Sequence, residues 1–334
     1  MTRIPKAAFL IGALALAASA CGSDDSSSST TPAATEAATT AAPDGTSPGT
    51  TTGDAGTYPI TVDAANGAVT LDAQPQRIVS LSPTATEMLF AIGAGDQVVA
   101  VDDQSNYPEE ALAKSTTLSG YTPSAEAVSG FQPDLVVVAD VTDGLDTQLA
   151  TLDIPLWSGP AASDFGDVYT QIEQLGALTG HVAEAAALVG QMQADIEAAT
   201  GGVVEREVPL TYYHELDNTL FSVTSNTFIG GVYGLFDLQN IADTVEGDTD
   251  YPQLSSEFIV SQNPDLIFLA DADYGESAAT IAARPGWSGL NAVTTGSIVP
   301  ISADISSRWG PRVVDYVEDV GAAVAAYDAQ VPAG

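Results

Sequence analysis

Few residues in this chain are suited to chemistry. Its 334 residues include two histidines, His181 and His214, and one cysteine, Cys21. A three-histidine metal site is therefore unavailable, and no Ser/His/Asp order or Cys/His pair stands out. Gly45-Thr46-Ser47-Pro48-Gly49 matches a nucleophile elbow in form only, because neither a strand before the serine nor a helix after it can form there. His181 reads as an exposed residue at a helix junction, and His214, ending a strand near a cleft, as a hydrogen-bonded structural group. The acidic run Asp243, Glu246, Asp248, Asp250 lacks EF-hand spacing and reads as a solvated loop. Positive charge is more informative. Ser307-Arg308-Trp309-Gly310-Pro311-Arg312 carries two of the six basic residues that follow position 20. Arg308 is expected to meet a carboxylate, phosphate or chelated oxygens of a ligand, with Trp309 stacking beside it. Arg312 divides between that role and pairing with acids such as Asp315.

These residues sit in a chain that contains one unit twice. Ser124-Ala125-Glu126 leading to Pro133-Asp134-Leu135 and Ala139-Asp140 recurs 131 residues later as Ser255-Ser256-Glu257 leading to Pro264-Asp265-Leu266 and Ala270-Asp271. Each copy predicts a polar start leading into a short amphipathic helix with a glutamate in its first turn, then a turn and a buried parallel strand. Two copies this far apart predict two similar α/β lobes with a cleft between them, rather than a short-period solenoid.

Residues 1–20, with Arg3, Lys6 and an apolar run from Ala7 to Ala18, read as a secretory signal too short to span a membrane permanently. Ala18-Ser19-Ala20-Cys21 resembles a lipobox, which makes Cys21 the expected lipid anchor; as the single cysteine it can join no disulfide framework. Residues 21–57 form the tether segment, and from Gly22 to Thr57 it contains no aromatic residue, Leu, Ile or Val. Such a composition cannot bury enough apolar surface to offset ordering entropy. Beyond residue 20, 44 acidic residues face six basic ones, a side-chain charge near −38. Nucleic acid is excluded as a partner, and a strongly anionic ligand is disfavoured.

The folded part divides into an N-terminal lobe at 58–163, connecting helices at 164–204 and a C-terminal lobe at 205–334. Strands are expected at Arg77–Leu81, Gln97–Val101, Asp134–Ala139 and Pro155–Trp157, then near Leu210–His214, Asp265–Ala270 and Ser297–Ile301. Asp164 is the expected cap of a first connecting helix, and Gly180 its end. The second helix places Val182, Ala185, Ala186, Val189, Met192 and Ile196 on one buried face.

The segments Arg77-Ile-Val-Ser-Leu-Ser-Pro-Thr-Ala-Thr-Glu87, Gly93-Ala-Gly-Asp-Gln-Val-Val-Ala-Val101, Asn106-Tyr107-Pro108, Pro133-Asp134-Leu135 and Arg284-Pro-Gly-Trp287 are together specific. Through them, residues Tyr58 to Ala326 resemble the substrate-binding lipoproteins of ABC importers for vitamin B12 and ferric siderophores. The resemblance implies a class III periplasmic-binding-protein fold: two Rossmann-like α/β lobes bridged by a single long helix, with a shallow cleft that closes little. It implies that Glu126 and Glu257 dock onto a permease dimer with a cytoplasmic ATPase. It also implies that Tyr107, Tyr121 and Tyr251 hold the ligand, alongside Arg308 and Trp309.

The resulting expectation is a monomeric, non-enzymatic receptor, lipid-anchored outside the cytoplasmic membrane and lacking cofactor and metal, that captures cobalamin or a ferric siderophore. Haem is an alternative ligand of the same fold. A cell-surface sensor or adhesin is the alternative outside transport, and would require a filled cleft or buried Glu126 and Glu257.

Overall fold

A computed structural model describes residues 57–331 except Glu205, Glu246 and Asp248. The signal, Cys21 and nearly all of the tether lie outside the described residues, as do two members of the acidic run. A hairpin of β1 (Ile60–Ala64) and β2 (Gly67–Leu71) precedes the first lobe. That lobe is a parallel sheet of β3 (Ile78–Leu81), β4 (Val98–Val101), β5 (Leu135–Val138) and β6 (Leu156–Ser158), in the order β4-β3-β5-β6. The second lobe is a parallel sheet of β7 (Thr211–Glu215), β8 (Gln239–Asn240), β9 (Leu266–Leu269) and β10 (Ile298–Pro300), in the order β10-β9-β7-β8. Read from the other edge, this is the first order again: β4, β3, β5 and β6 correspond to β8, β7, β9 and β10.

The first lobe carries α1 (Pro83–Ala91), α2 (Glu109–Leu112), α3 (Ala125–Ser129) and α4 (Leu145–Ala150). Helices α5 (Phe165–Thr179) and α6 (Val182–Thr200) connect the lobes. The second carries α7 (Phe228–Gly234), α8 (Ser256–Gln262), α9 (Ala278–Ala283), α10 (Asn291–Thr294), α11 (Ala303–Ser307) and α12 (Val313–Gln330).

The repeat reaches the level of single atoms. The Ser124 and Ser255 hydroxyls accept from the backbone amides of Ala127 and Phe258, capping α3 and α8. Gln132 and Asn263 each adopt a left-handed backbone, φ 50° and 52°, at the turn that follows. Asp134 then accepts from the Gln76 and Arg77 amides, and Asp265 from the Thr211 amide, so each turn is tied to the neighbouring strand.

Both faces of the central strands are buried, which is why they read as continuous apolar runs. Ile78, Leu135 and Val137 join Tyr212, Leu266 and Phe268 in one core that runs through α1, α5, α6 and α12 and spans both lobes. Val79, Val136 and Val138 pack on the outer side of lobe 1, and Tyr213, Ile267 and Leu269 on the outer side of lobe 2. The lobes therefore share apolar packing as well as a chain crossing.

Asp164 caps α5 by accepting from the Asp167 amide at 3.0 Å, and Gly180 ends it at φ 79°, a conformation that favours glycine. The 19 residues of α6 span about 28 Å and pack against α5 on one side and α12 on the other. Its buried residues are Ala185, Val189 and Met192, with Leu188 and Ile196 partly covered. Val182 and Ala186 are exposed, contrary to the expected face, because the helix meets its neighbours through a narrower stripe. The hairpin β1-β2 and the two-residue β8 were not expected either. Asn66 at the hairpin turn bonds the Leu156 carbonyl and the Ser158 amide, so the hairpin anchors to edge strand β6 through contacts 90 or more residues apart. Among the described residues no helix is long and apolar enough to cross a membrane.

Candidate functional site

The C-terminal ends of the lobe 1 strands open onto a cavity of about 430 Å³ closed from the other side by lobe 2. Lobe 1 supplies Leu81 at the end of β3 and Ser82 after it, Asp102 after β4, Ala139 and Asp140 after β5, and the Gly120–Tyr121 loop; lobe 2 supplies Asp304, Ser307, Arg308 and Trp309. This is where an open parallel sheet places a ligand. Ser82 accepts from the Ala85 amide at 3.2 Å and, with Pro83 following it, starts α1 at the cavity edge.

The walls are aromatic and the floor is polar. Tyr121 is 79 % exposed, a large ring held out beside the cavity. Trp309 is half-buried, and its indole N–H donates to the Gln171 side-chain oxygen at 3.0 Å, which orients the ring against α5. Asp102 on the floor is fully buried: one oxygen accepts from the Ser105 amide at 2.8 Å and the other has no partner. Burial pushes the Asp102 carboxyl up from the ordinary range, against the opposing hydrogen bonds from Ser105.

Arg308 lines the cavity, yet its donors are already committed. They reach Glu87 Oε1 at 2.9 Å, Asn106 Oδ1 at 2.8 Å, Asp304 Oδ1 at 2.9 Å and the Gln104 carbonyl at 3.3 Å. Arg312 grips the same glutamate, Nε to Oε2 at 2.9 Å and Nη2 to Oε1 at 2.5 Å. Its expected partner Asp315 is not the one it takes, because Glu87 lies 2 % exposed between two guanidinium groups. Glu87 and Arg312 fasten lobe 1 to lobe 2.

The same fastening corrects the placement of Tyr107. Its ring lies under the Arg312 guanidinium, 4.1 Å from centroid to carbon, and lines a separate groove on the far side of the clamp. Tyr251 is half-exposed in a lobe 2 loop and does not line the cleft cavity. His214, expected near the cleft, is fully buried, with Nδ1 2.7 Å from the Tyr233 hydroxyl, and burial lowers its pKa to about 3. His181 reaches no closer than 4.0 Å to Glu184. Among the described residues no three His, Cys, Asp or Glu side chains converge as a metal site.

Glu126 and Glu257 are exposed in the first turns of α3 and α8, and neither carboxylate has a protein partner among the described residues. Every basic side chain of the described residues is spent on the protein. Arg77 donates to the Phe131 carbonyl, Lys114 to those of Gly95 and Val98, Arg206 to Asp328, and Arg284 to buried Glu215. With Arg308 and Arg312 on Glu87, no basic side chain of the described residues is left without a protein partner.

Sequence reasoning missed Glu87, Asp102 and Asn106. Glu87 falls on the otherwise buried face of α1, where an acidic residue demands a cation, and that was its one legible signal.

A family described as periplasmic binding protein matches residues 78–305. A cobalamin-binding protein of Halobacterium salinarum is 34% identical over 268 residues, covering 77% of this chain and 72% of that protein. The uncharacterized ABC transporter substrate-binding lipoprotein YvrC of Bacillus subtilis is 29% identical, covering 80% of this chain and 86% of that protein. The periplasmic vitamin B12-binding protein of Vibrio cholerae superposes with a TM-score of 0.63 at 25% identity, covering 77% of this chain and 99% of that one.

Proposed function

Because the chain belongs to the periplasmic binding protein family, a family of solute receptors, we propose that it captures a corrinoid in the interlobe cleft and delivers it to an ABC importer. The observation that carries this reading is the pairing of an aromatic-walled cavity with the absence of an uncommitted cation. Tyr121 and Trp309 offer flat apolar surface to a large ring system. A corrinoid rich in amides needs no cation, whereas the propionates of haem or the oxygens of a ferric catecholate need positive charge that the described residues have already used. The names of the Halobacterium and Vibrio relatives point the same way.

A neutral or cationic ferric hydroxamate suits the same charge balance and is the second reading. Glu126 and Glu257 are the proposed permease contacts, since their free carboxylates repeat with the lobes and would meet a two-fold partner. Their exposure, and the presence of the cavity, argue against the sensor or adhesin alternative. We place the protein outside the cytoplasmic membrane, held by a lipid on Cys21. A fluorescence-quenching titration of the purified protein with cyanocobalamin, a cationic ferric hydroxamate and haem tests the ligand. Saturation at micromolar concentration or below by cyanocobalamin alone is expected, and preference for haem would overturn the reading.

A further inference from the structure

Helix α5 carries Gln171 and Gln174 on one face, and each joins a tryptophan indole to a backbone carbonyl. The Gln174 side-chain oxygen accepts from Trp157 Nε1 at 2.9 Å, and its nitrogen donates to the Asp63 carbonyl at 2.8 Å. The Gln171 oxygen accepts from Trp309 Nε1 at 3.0 Å, and its nitrogen donates to the Pro160 carbonyl at 2.8 Å. An indole N–H only donates and a carbonyl only accepts, so each amide has one orientation that satisfies both partners.

The two bridges differ in what they hold. Trp157 is fully buried in β6 and does not line the cleft cavity, and Asp63 belongs to the hairpin, so the Gln174 bridge is internal packing. Trp309 is half-buried, stands in lobe 2 between α11 and α12, and lines the cavity. Pro160 is in the lobe 1 loop after β6. Gln171 is 8 % exposed and does not line the cavity. Its amide is closely packed, since a Cβ on Gly159 would lie 2.9 Å from its oxygen. A ring tied at its N–H from a neighbouring element has little freedom to turn, and a flat surface fixed before the ligand arrives lowers the ordering cost of binding.

We infer that Gln171 is a positioning residue: from the connecting helix it fixes the Trp309 ring in the orientation that meets the ligand, and so sets affinity without touching the ligand. The inference rests on the cleft reading above. It gives α5 a part in binding beyond joining the lobes.

Proton–nitrogen correlation spectra of the full protein, paired with calorimetric titration of cyanocobalamin, test it. Trp157, Trp287 and Trp309 donate to different partners, Gln174, Ser256 and Gln171, so their indole signals are separable. Gln171→Met removes both polar groups at similar volume. It is expected to move the Trp309 signal, speed exchange of its N–H with solvent and weaken cyanocobalamin binding about threefold or more. Gln174→Met should move the Trp157 signal and lower the melting temperature while affinity holds. Trp309→Phe keeps a flat ring without the N–H, so adding Gln171→Met in that background should cost no further affinity. If Gln171→Met does not fold, Gln171→Asn, too short to reach both partners, carries the same comparisons. If either Gln171 variant moves the Trp309 signal without changing affinity, or weakens binding equally in the Trp309→Phe background, the inference falls while the receptor reading stands. If the wild-type protein binds neither cyanocobalamin nor a cationic ferric hydroxamate, the cleft reading itself fails and takes this inference with it.

Discussion

Glu87 in α1 and Arg312 at the start of α12 form a two-point ion pair across 225 residues of chain, joining the lobes beside the cleft. Arg308 adds a third contact to the same carboxylate, and Asn106 bridges Arg308 to Asp304. With the shared core beneath it, this clamp ties the two lobes together at the edge of the cleft.

Removing the acid should show how much the clamp contributes. Glu87→Gln leaves two largely buried guanidinium groups underpaired, a loss of about 3 kcal/mol in native stability. Chemical unfolding of Glu87→Gln, Arg312→Met and the double variant checks it. Strictly additive losses would mean the pair is not coupled.

The two tyrosines should separate in their effects. Tyr121→Ala is expected to weaken ligand binding with little change in melting temperature, because the ring is exposed beside the cavity. Tyr107→Ala removes the surface beneath Arg312 and should cost about 0.5–1 kcal/mol of stability without altering ligand affinity. Paired titration and thermal melts distinguish them.

Gly120 tolerates no side chain. A Cβ there would lie 2.6 Å from Asp102 Oδ2 and 2.7 Å from the Leu81 carbonyl oxygen, one of which is backbone. Gly120→Ala should destabilise the protein by about 1–3 kcal/mol and displace the Tyr121 loop, lowering ligand affinity as well. Melting and titration curves matching those of the wild type would contradict this.

Two buried groups should give opposing pH dependences. Desolvation, followed by the charge of Glu215, raises the Asp271 carboxyl to about 7. Its folded pKa exceeds the unfolded one, so its contribution to stability is whole below about pH 4 and is lost as pH rises to about 7. Asp271→Asn should therefore gain most over the wild type at neutral pH and above. His214, lowered to about 3 by burial, contributes stability above about pH 6.5 that is lost as pH falls toward 3. His214→Gln should flatten that acid limb in urea midpoints measured from pH 4 to 8.

Loss of docking should leave binding intact. Glu126→Arg with Glu257→Arg is expected to abolish uptake in cells while ligand affinity stays within about twofold, since both residues are exposed and free of protein partners. Unimpaired uptake would refute the docking role.

The repeated unit with its short helices α3 and α8, the Ser82 cap of α1, the central strands and the Asp164-to-Gly180 helix were legible in the sequence. Each depends on residues close in the chain: a hydroxyl three residues before an amide, an apolar run, a glycine where the backbone turns left-handed. The acidity and the scarcity of basic residues likewise bounded the ligand before any fold was known. Tertiary structure alone decided that Arg308 and Arg312 close on Glu87, that Tyr107 lies outside the cleft cavity, that His214 is sealed in the core and that a hairpin anchors to β6. Those outcomes depend on which surfaces meet when the two lobes pack around one core, bringing together groups up to 225 residues apart. Local periodicity carries no record of such meetings.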